Sequence, residues 1–181
     1  MTLFKNKYRI ESTRLRGWDY SSAGMYFVTI CARNRECLLG DVVNGEMHLS
    51  HIGEIIVEEW QNTPKVRPYV ELDEWVVMPN HIHGIIVITD AVETFRRNVS
   101  TVNATNPARL KPRSVGAMIG QIKSICTKRI AAEGIEGFDW QERFWDEIIW
   151  NERALNAIRA YIINNPANWE KDKDNPAGLR M

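Results

Sequence analysis

Residues 25–32 read MYFVTICA, a β-branched and aromatic run that predicts a buried strand. In the stretch CLLGDVVNGEMHL (residues 37–49), Asn44-Gly45 lies between two apolar runs. Two-residue hairpins favour this dipeptide because both of its residues tolerate positive φ. Ser50 then stands where a helix cap belongs. Ile52, Ile55, Ile56 and Trp60 follow at the 3.6-residue period, and Pro64 is the expected stop. Residues 70–78 and 81–89 predict two more strands joined by a short turn at Pro79-Asn80. A polar stretch with few core-forming positions covers residues 90–113; connections of that length usually carry function. Ser114 caps a second helix that places Val115, Met118, Ile119, Ile122 and Ile125 on one face and ends at Gly134. Residues 144–150 predict a last strand. Asn151 caps a last helix that runs to about Asn164 and is ended by Pro166.

Apart from the hairpin and the last helix, the order of elements is β-α-β-β-α-β, the split βαβ or ferredoxin-like pattern. The expected class is therefore α+β: an antiparallel sheet with two helices on one face, an inserted hairpin and a C-terminal helix. The other face of the sheet is left for a site. The 181 residues suit one domain over residues 1–170, with 171–181 (beginning KDKDNP) as a polar tail. No internal repeat or low-complexity tract competes with this reading.

Composition narrows the class. At 44% hydrophobic and 25% charged the chain is ordinary for a globular protein, which excludes wholesale disorder and fibrous classes. No apolar run approaches the ~18 residues of a membrane span, and the first ten residues lack an apolar signal core. Cys31, Cys37 and Cys126 are odd in number and lack C-x-x-C spacing, so reduced thiols in a cytoplasmic protein are expected. Formal charge balances to zero but is segregated. Residues 36–93 set eleven acids against Lys65 and Arg67. Residues 94–132 hold Arg96, Arg97, Arg109, Lys111, Arg113, Lys123, Lys128 and Arg129 with no acid. A cationic stripe of this kind suits a phosphate backbone, unless folding interleaves the two segments.

Two local patterns could carry chemistry. In His81-Ile82-His83 at the start of a strand, the two imidazoles project from one face and Ile82 from the other. That is half of a metal site, although an isolated H-x-H is more commonly a pair of hydrogen-bonded histidines. His48 and His51, near the hairpin and first helix, read as surface residues. In the last helix Leu155, Ile158 and Ile162 form the core stripe, with Tyr161 on its shoulder. Asn165 follows one turn later on nearly the same side, so a phenol and an amide face one volume. Alone, this too is commonly an amphipathic helix edge.

The combination is more specific. MPNHIHGIIVI followed some eighty residues later by YIINNPANW resembles the single-tyrosine HUH transposases, most of all the REP-associated tyrosine transposases. GMYFVTICARNR, SVGAMIGQIKS and WQERFWDEII add to the match, which spans about residues 16–170. The resemblance implies that His81 and His83 bind a divalent metal, Mg2+ or Mn2+, and that Tyr161 is the nucleophile. Asn165 would be the third ligand, at a position that is often Gln in the wider family. It further implies DNA nicking with a 5′-phosphotyrosine intermediate, strand transfer, and a hairpin of palindromic repeat DNA with single-stranded flanks as substrate. The protein would be cytoplasmic and nucleoid-associated, acting as a monomer or as a homodimer.

Chemistry gives reasons for these residue types. A phosphodiester repels nucleophiles, so a cation on its oxygen offsets the charge that develops in the transition state. A tyrosine of ordinary pKa ~10 needs such a cation to ionise near neutrality. A tyrosyl–DNA ester conserves the energy of the broken bond, and strands can rejoin without a nucleotide cofactor. The eight basic residues named above are the candidate DNA-backbone contacts. Trp140, Trp145 and Trp169 are candidate stacking platforms. The alternatives are a ferredoxin-like nucleic-acid-binding protein without catalysis and a zinc hydrolase. No H-E-x-x-H run supports the latter.

Overall fold

The computed structural model describes residues 14–90 and 111–176, and the backbone of two short paired strands, β1 (Leu3–Phe4) and β2 (Tyr8–Arg9). The remaining elements are β3 (Gly24–Cys31), β4 (Gly40–Val43), β5 (Glu46–Leu49), α1 (His51–Val66), β6 (Val70–Met78), β7 (His81–Ile88), α2 (Val115–Ala132), β8 (Trp145–Ile149) and α3 (Glu152–Asn164). A short 3-10 helix, Pro166–Lys171, follows α3.

The expected α+β class is the one observed. The main sheet is antiparallel throughout, in the order β6-β7-β3-β8, which puts the first and third core strands at its centre. The two central strands read as near-continuous apolar runs because both of their faces are covered. On one face Tyr26, Val28, Ile30, Ile82 and Ile86 pack with Ile56 and Trp60 of α1 and with Ile119 and Ile122 of α2. On the other, Phe27, Ile85 and Ile149 pack against Leu155 and Ile162 of α3. The tyrosine-bearing helix therefore lies across the face left open by the split βαβ core.

Local signals act as their chemistry dictates. The side chains of Ser50, Ser114 and Asn151 each accept a hydrogen bond from a first-turn N–H: Gly53 at 3.2 Å, Ala117 at 3.2 Å and Ala154 at 2.9 Å. Asn44 (φ 53°) and Gly45 (φ 80°) form the β4–β5 turn. One boundary differs from expectation: α1 continues two residues past Pro64, to Val66. In the last turn a proline removes a single backbone bond, a loss the packed helix tolerates.

Two features of the sheet matter for the site. Gly84 of β7 lies against the buried ring of Trp60, so a methyl group there would overlap the indole. In β6 the register shifts between Leu72 and Trp75, placing Asp73 and Glu74 opposite Ile85. This bulge aims the Asp73 carboxylate at Arg159 of α3.

Candidate active site

β7 begins immediately after the Pro79-Asn80 turn, so His81 and His83 occupy its first and third positions and point to the α3 face. Both are buried, and their Nε2 atoms lie 2.9 Å apart. His81 Nδ1 is 2.7 Å from Asn80 Oδ1, and His83 Nδ1 is 2.8 Å from Thr29 Oγ1. Each ring thus engages its Nδ1 with the protein and turns its Nε2 inward. Two nitrogen lone pairs cannot face one another at this distance unless a proton or a cation stands between them. Burial holds both imidazoles far below the ordinary histidine range, at about 3, so they are neutral, ligand-competent groups. Nearby Arg35 pushes His81 the same way, and His81 itself does so for His83.

α3 brings Tyr161 over this pair. Its Oη is 3.1 Å from His83 Nε2, and its ring meets Phe27 edge-on with centroids 6.2 Å apart. The phenol stays 42% exposed, so one side of the tyrosine opens to solvent. Burial and the neighbouring Asp172 raise its pKa above the ordinary value, while a hydrogen bond with Asn165 opposes the shift.

Asn165 is buried, with Oδ1 lacking a hydrogen-bond partner and Nδ2 3.3 Å from Asp172 Oδ2. Sequence reasoning missed Asp172. The 3-10 helix after Pro166 turns the chain back, and Asp172 arrives beside the imidazoles from the segment expected to be a polar tail. Ligand atoms of His81, His83 and Asp172 all lie within 4.8 Å of one another. Two imidazole nitrogens and a carboxylate form a donor set that fits a divalent cation, and the orphaned amide oxygen of Asn165, a neighbour of Asp172, is a further unengaged acceptor. The only hint in KDKDNP was its closeness in sequence to Asn165, and alternating acids and lysines ordinarily mark a solvated surface.

The candidate DNA contacts are scattered. Arg96, Arg97 and Arg109 lie outside the described residues. Lys111 pairs with Asp19, and the Arg113 guanidinium stacks 4.1 Å over the Tyr69 ring. Arg129 is held by Glu58 and Glu59 of α1 at 2.6 and 2.7 Å, so there the acidic and basic segments do interleave. Lys128 is exposed on α2, whose packing is against the sheet face opposite the histidines. Among the described candidates only Lys123 lines the groove of about 1400 Å³ that also holds His83 and Tyr161, and its Nζ donates to the carbonyls of Gln141 and Arg143. The same groove presents Arg143, Lys171 and Lys173, which the charge pattern had not singled out. Trp140 is buried, and its indole N–H donates to the Lys123 carbonyl. Trp169 lies 6.0 Å from the His81 ring, ring centre to ring centre. Trp145 is 48% exposed and lines the groove. His48 and His51 are on the surface as expected, His51 paired with Glu133. The three cysteines are free.

No family model matches the chain. An uncharacterized protein of Haemophilus influenzae is 38% identical over 165 residues, spanning 90% of this chain and 91% of the relative. The two belong to one family. The fold of this chain is similar to that of a REP-associated tyrosine transposase solved bound to a REP hairpin. That likeness has a TM-score of 0.57 at 22% identity, covering 90% of this chain and 77% of the other. At that identity the shared property is the fold, the antiparallel four-stranded sheet with helices on both faces. Among the described residues, no helix of this family member is long and apolar enough to cross a membrane.

Proposed function

We propose that the protein is a single-tyrosine HUH transposase, a metal-dependent enzyme that nicks single-stranded DNA and rejoins strands through a covalent bond between Tyr161 and a 5′-phosphate. One observation carries this reading: within a single chain, Tyr161 Oη lies 3.1 Å from Nε2 of His83, beside His81 and Asp172. A phenol, two inward-facing imidazole nitrogens and a carboxylate are the parts that phosphodiester transfer to tyrosine requires.

His81, His83 and Asp172 would hold the divalent cation, Mg2+ or Mn2+, with the Asn165 amide oxygen close by. When bound, the cation supplies positive charge that draws in the scissile phosphate and favours the phenolate. Phe27 and His83 fix the tyrosine ring against the sheet. The exposed edge of Tyr161 lets the Oη proton depart to solvent and admits the phosphate from the groove. Attack by Oη forms an O–P bond to the 5′-phosphate and breaks the P–O3′ bond, releasing a 3′-hydroxyl. The reverse reaction with a new 3′-hydroxyl transfers the strand. Lys123, Arg143, Lys171 and Lys173 in the groove provide charge for the DNA backbone.

The shared fold of a transposase bound to a REP hairpin supports a folded hairpin with single-stranded flanks as substrate. Both the tyrosine and the histidines come from one chain, so a monomer suffices. The test is incubation with such hairpins and Mn2+, followed by mass spectrometry of any protein–DNA adduct. Wild type should yield an adduct on Tyr161 and a free 3′-hydroxyl, and Tyr161→Phe should yield neither. An adduct formed equally by Tyr161→Phe would overturn the assignment. Hairpin binding without any adduct in metal would leave a binding protein of the same fold.

A further inference from the structure

Asn80 is fully buried, and each polar atom of its side chain is engaged. Its Nδ2 donates to the carbonyls of Arg35 at 2.9 Å and Asp174 at 2.8 Å. Carbonyls only accept, so the orientation of this amide is decided, and Oδ1 is the atom left facing His81 Nδ1 at 2.7 Å. An acceptor oxygen there requires the hydrogen of His81 to sit on Nδ1. Nε2, the atom that faces His83, therefore carries the lone pair. Thr29 exerts no such control over His83, because a hydroxyl can donate or accept.

The same amide reaches further. Asp174, whose carbonyl Asn80 holds, donates its own N–H to Asp172 Oδ1 at 2.7 Å. The Asp174 carboxylate pairs with Arg35. Arg35 and Asn34 both adopt left-handed backbone conformations, φ 57° and 54°, rare for non-glycine residues. This turn presents the Arg35 carbonyl to Asn80. The strained turn after β3, the start of β7 and the returning C-terminal segment thus meet on one side chain.

We propose that Asn80 is a positioning residue with two tasks. It holds His81 in the tautomer whose Nε2 is free to take a cation, and it ties the segment carrying Asp172 to the imidazole pair. The second task rests on the metal-dependent reading above; the first stands without it.

Long-range 1H–15N correlation spectra of the full-length protein labelled with 15N-histidine report each ring's tautomer in the absence of metal. The expected result is a His81 proton on Nδ1 in wild type and its loss in Asn80→Ala. Asn80→Asp should keep that tautomer, since a carboxylate also accepts from Nδ1–H. Both variants should speed amide hydrogen exchange at residues 172–175, because neither can donate to Asp174. Calorimetric titration with MnCl2 should show affinity in Asn80→Ala weakened by about 10–100-fold, the usual cost of losing a group that orients a ligand. A His81 proton on Nε2 in wild type, or loss of the Nδ1–H form in Asn80→Asp, would refute the first task even if Asn80→Ala fails to fold. Unchanged exchange at 172–175 in Asn80→Asp would refute the second. If wild type takes up no Mn2+ while His81 keeps its Nδ1 proton, the metal reading fails and the tautomer assignment survives.

Discussion

Arg159 grips Asp73 with two parallel hydrogen bonds, Nε to Oδ1 at 2.7 Å and Nη2 to Oδ2 at 2.5 Å. Arg159 stands two residues before Tyr161, and Asp73 sits in the bulge of β6, so this pair pins the tyrosine helix to the sheet edge. Two-pronged pairing fixes direction as well as distance, which an apolar contact does not. The apolar contacts of Leu155 and Ile162 hold the helix down; the ion pair resists its rotation.

On the proposed function, Arg159→Ala should therefore slow adduct formation while leaving hairpin affinity unchanged. A small displacement of a nucleophile is expensive, and a loss of about tenfold in single-turnover rate is expected. A rate equal to wild type would mean that apolar packing alone sets the tyrosine's place.

The same pair gives a pH dependence. The hydrogen bonds from Arg159 hold the Asp73 carboxyl below its ordinary range. A carboxylate with a depressed folded-state pKa adds stability above its unfolded value, about 4, and loses it as pH falls through the folded value. Asp73→Asn should thus melt below wild type at pH 7, with the gap closing as the solution is acidified towards pH 3. Partial exposure of both partners keeps the effect small. A gap that widens on acidification would show that another group dominates.

In the proposed metal site, Asp172 and Asn165 are the two candidates for third ligand. The carboxylate carries charge and belongs to the cluster with the imidazoles, so Asp172→Ala should weaken Mn2+ binding by at least about tenfold. Asn165→Ala should cost less. Calorimetric titration of the two variants side by side ranks them, and the reverse order would restore Asn165 to first place.

Trp145 pairs with Thr29, which in turn pairs with His83, so all three lie on one row of the sheet. Two strand spacings separate the Trp145 and His83 backbones by about 10 Å, and both residues line one groove. Trp145→Ala should lower single-stranded DNA affinity by about 1–3 kcal/mol, and Trp145→Phe should recover most of it. Equal binding by all three proteins in fluorescence anisotropy would remove Trp145 from the DNA path.

Gly84→Ala places a methyl group inside the Trp60 ring. That ring is wholly buried, so the overlap has no outlet except backbone movement, at a cost of about 1–3 kcal/mol. Urea unfolding measures it. A wild-type midpoint would show that α1 slides freely on the sheet.

Much of the architecture was legible because it rests on local rules. The caps at Ser50, Ser114 and Asn151, the Asn44-Gly45 turn and the strand before and after Pro79-Asn80 each depend on a few adjacent residues. The pairing of His81 with His83 was legible for the same reason: strand geometry alone puts i and i+2 on one face. Helical period put Tyr161 and Asn165 on one side of α3, and the resemblance to the transposases singled them out. The basic residues were read less well. Arg129 and Lys111 are answered by Glu58, Glu59 and Asp19, partners up to 92 positions away that charge counting along the chain cannot assign.

The amino-acid sequence by itself thus determined the core strands and α-helices, their order and the two local motifs, since periodicity, capping and turn propensity act over a few residues. It did not determine β1, β2 or the 3-10 helix after α3. Tertiary structure alone decided that Tyr161 rests on His83, that Asp172 returns to join the imidazoles and that Asn80 binds three parts of the chain together. Those relations depend on the reversal after Pro166 and on hydrogen bonds between groups remote in sequence. Such contacts form only once the core has brought the strands and α3 into place.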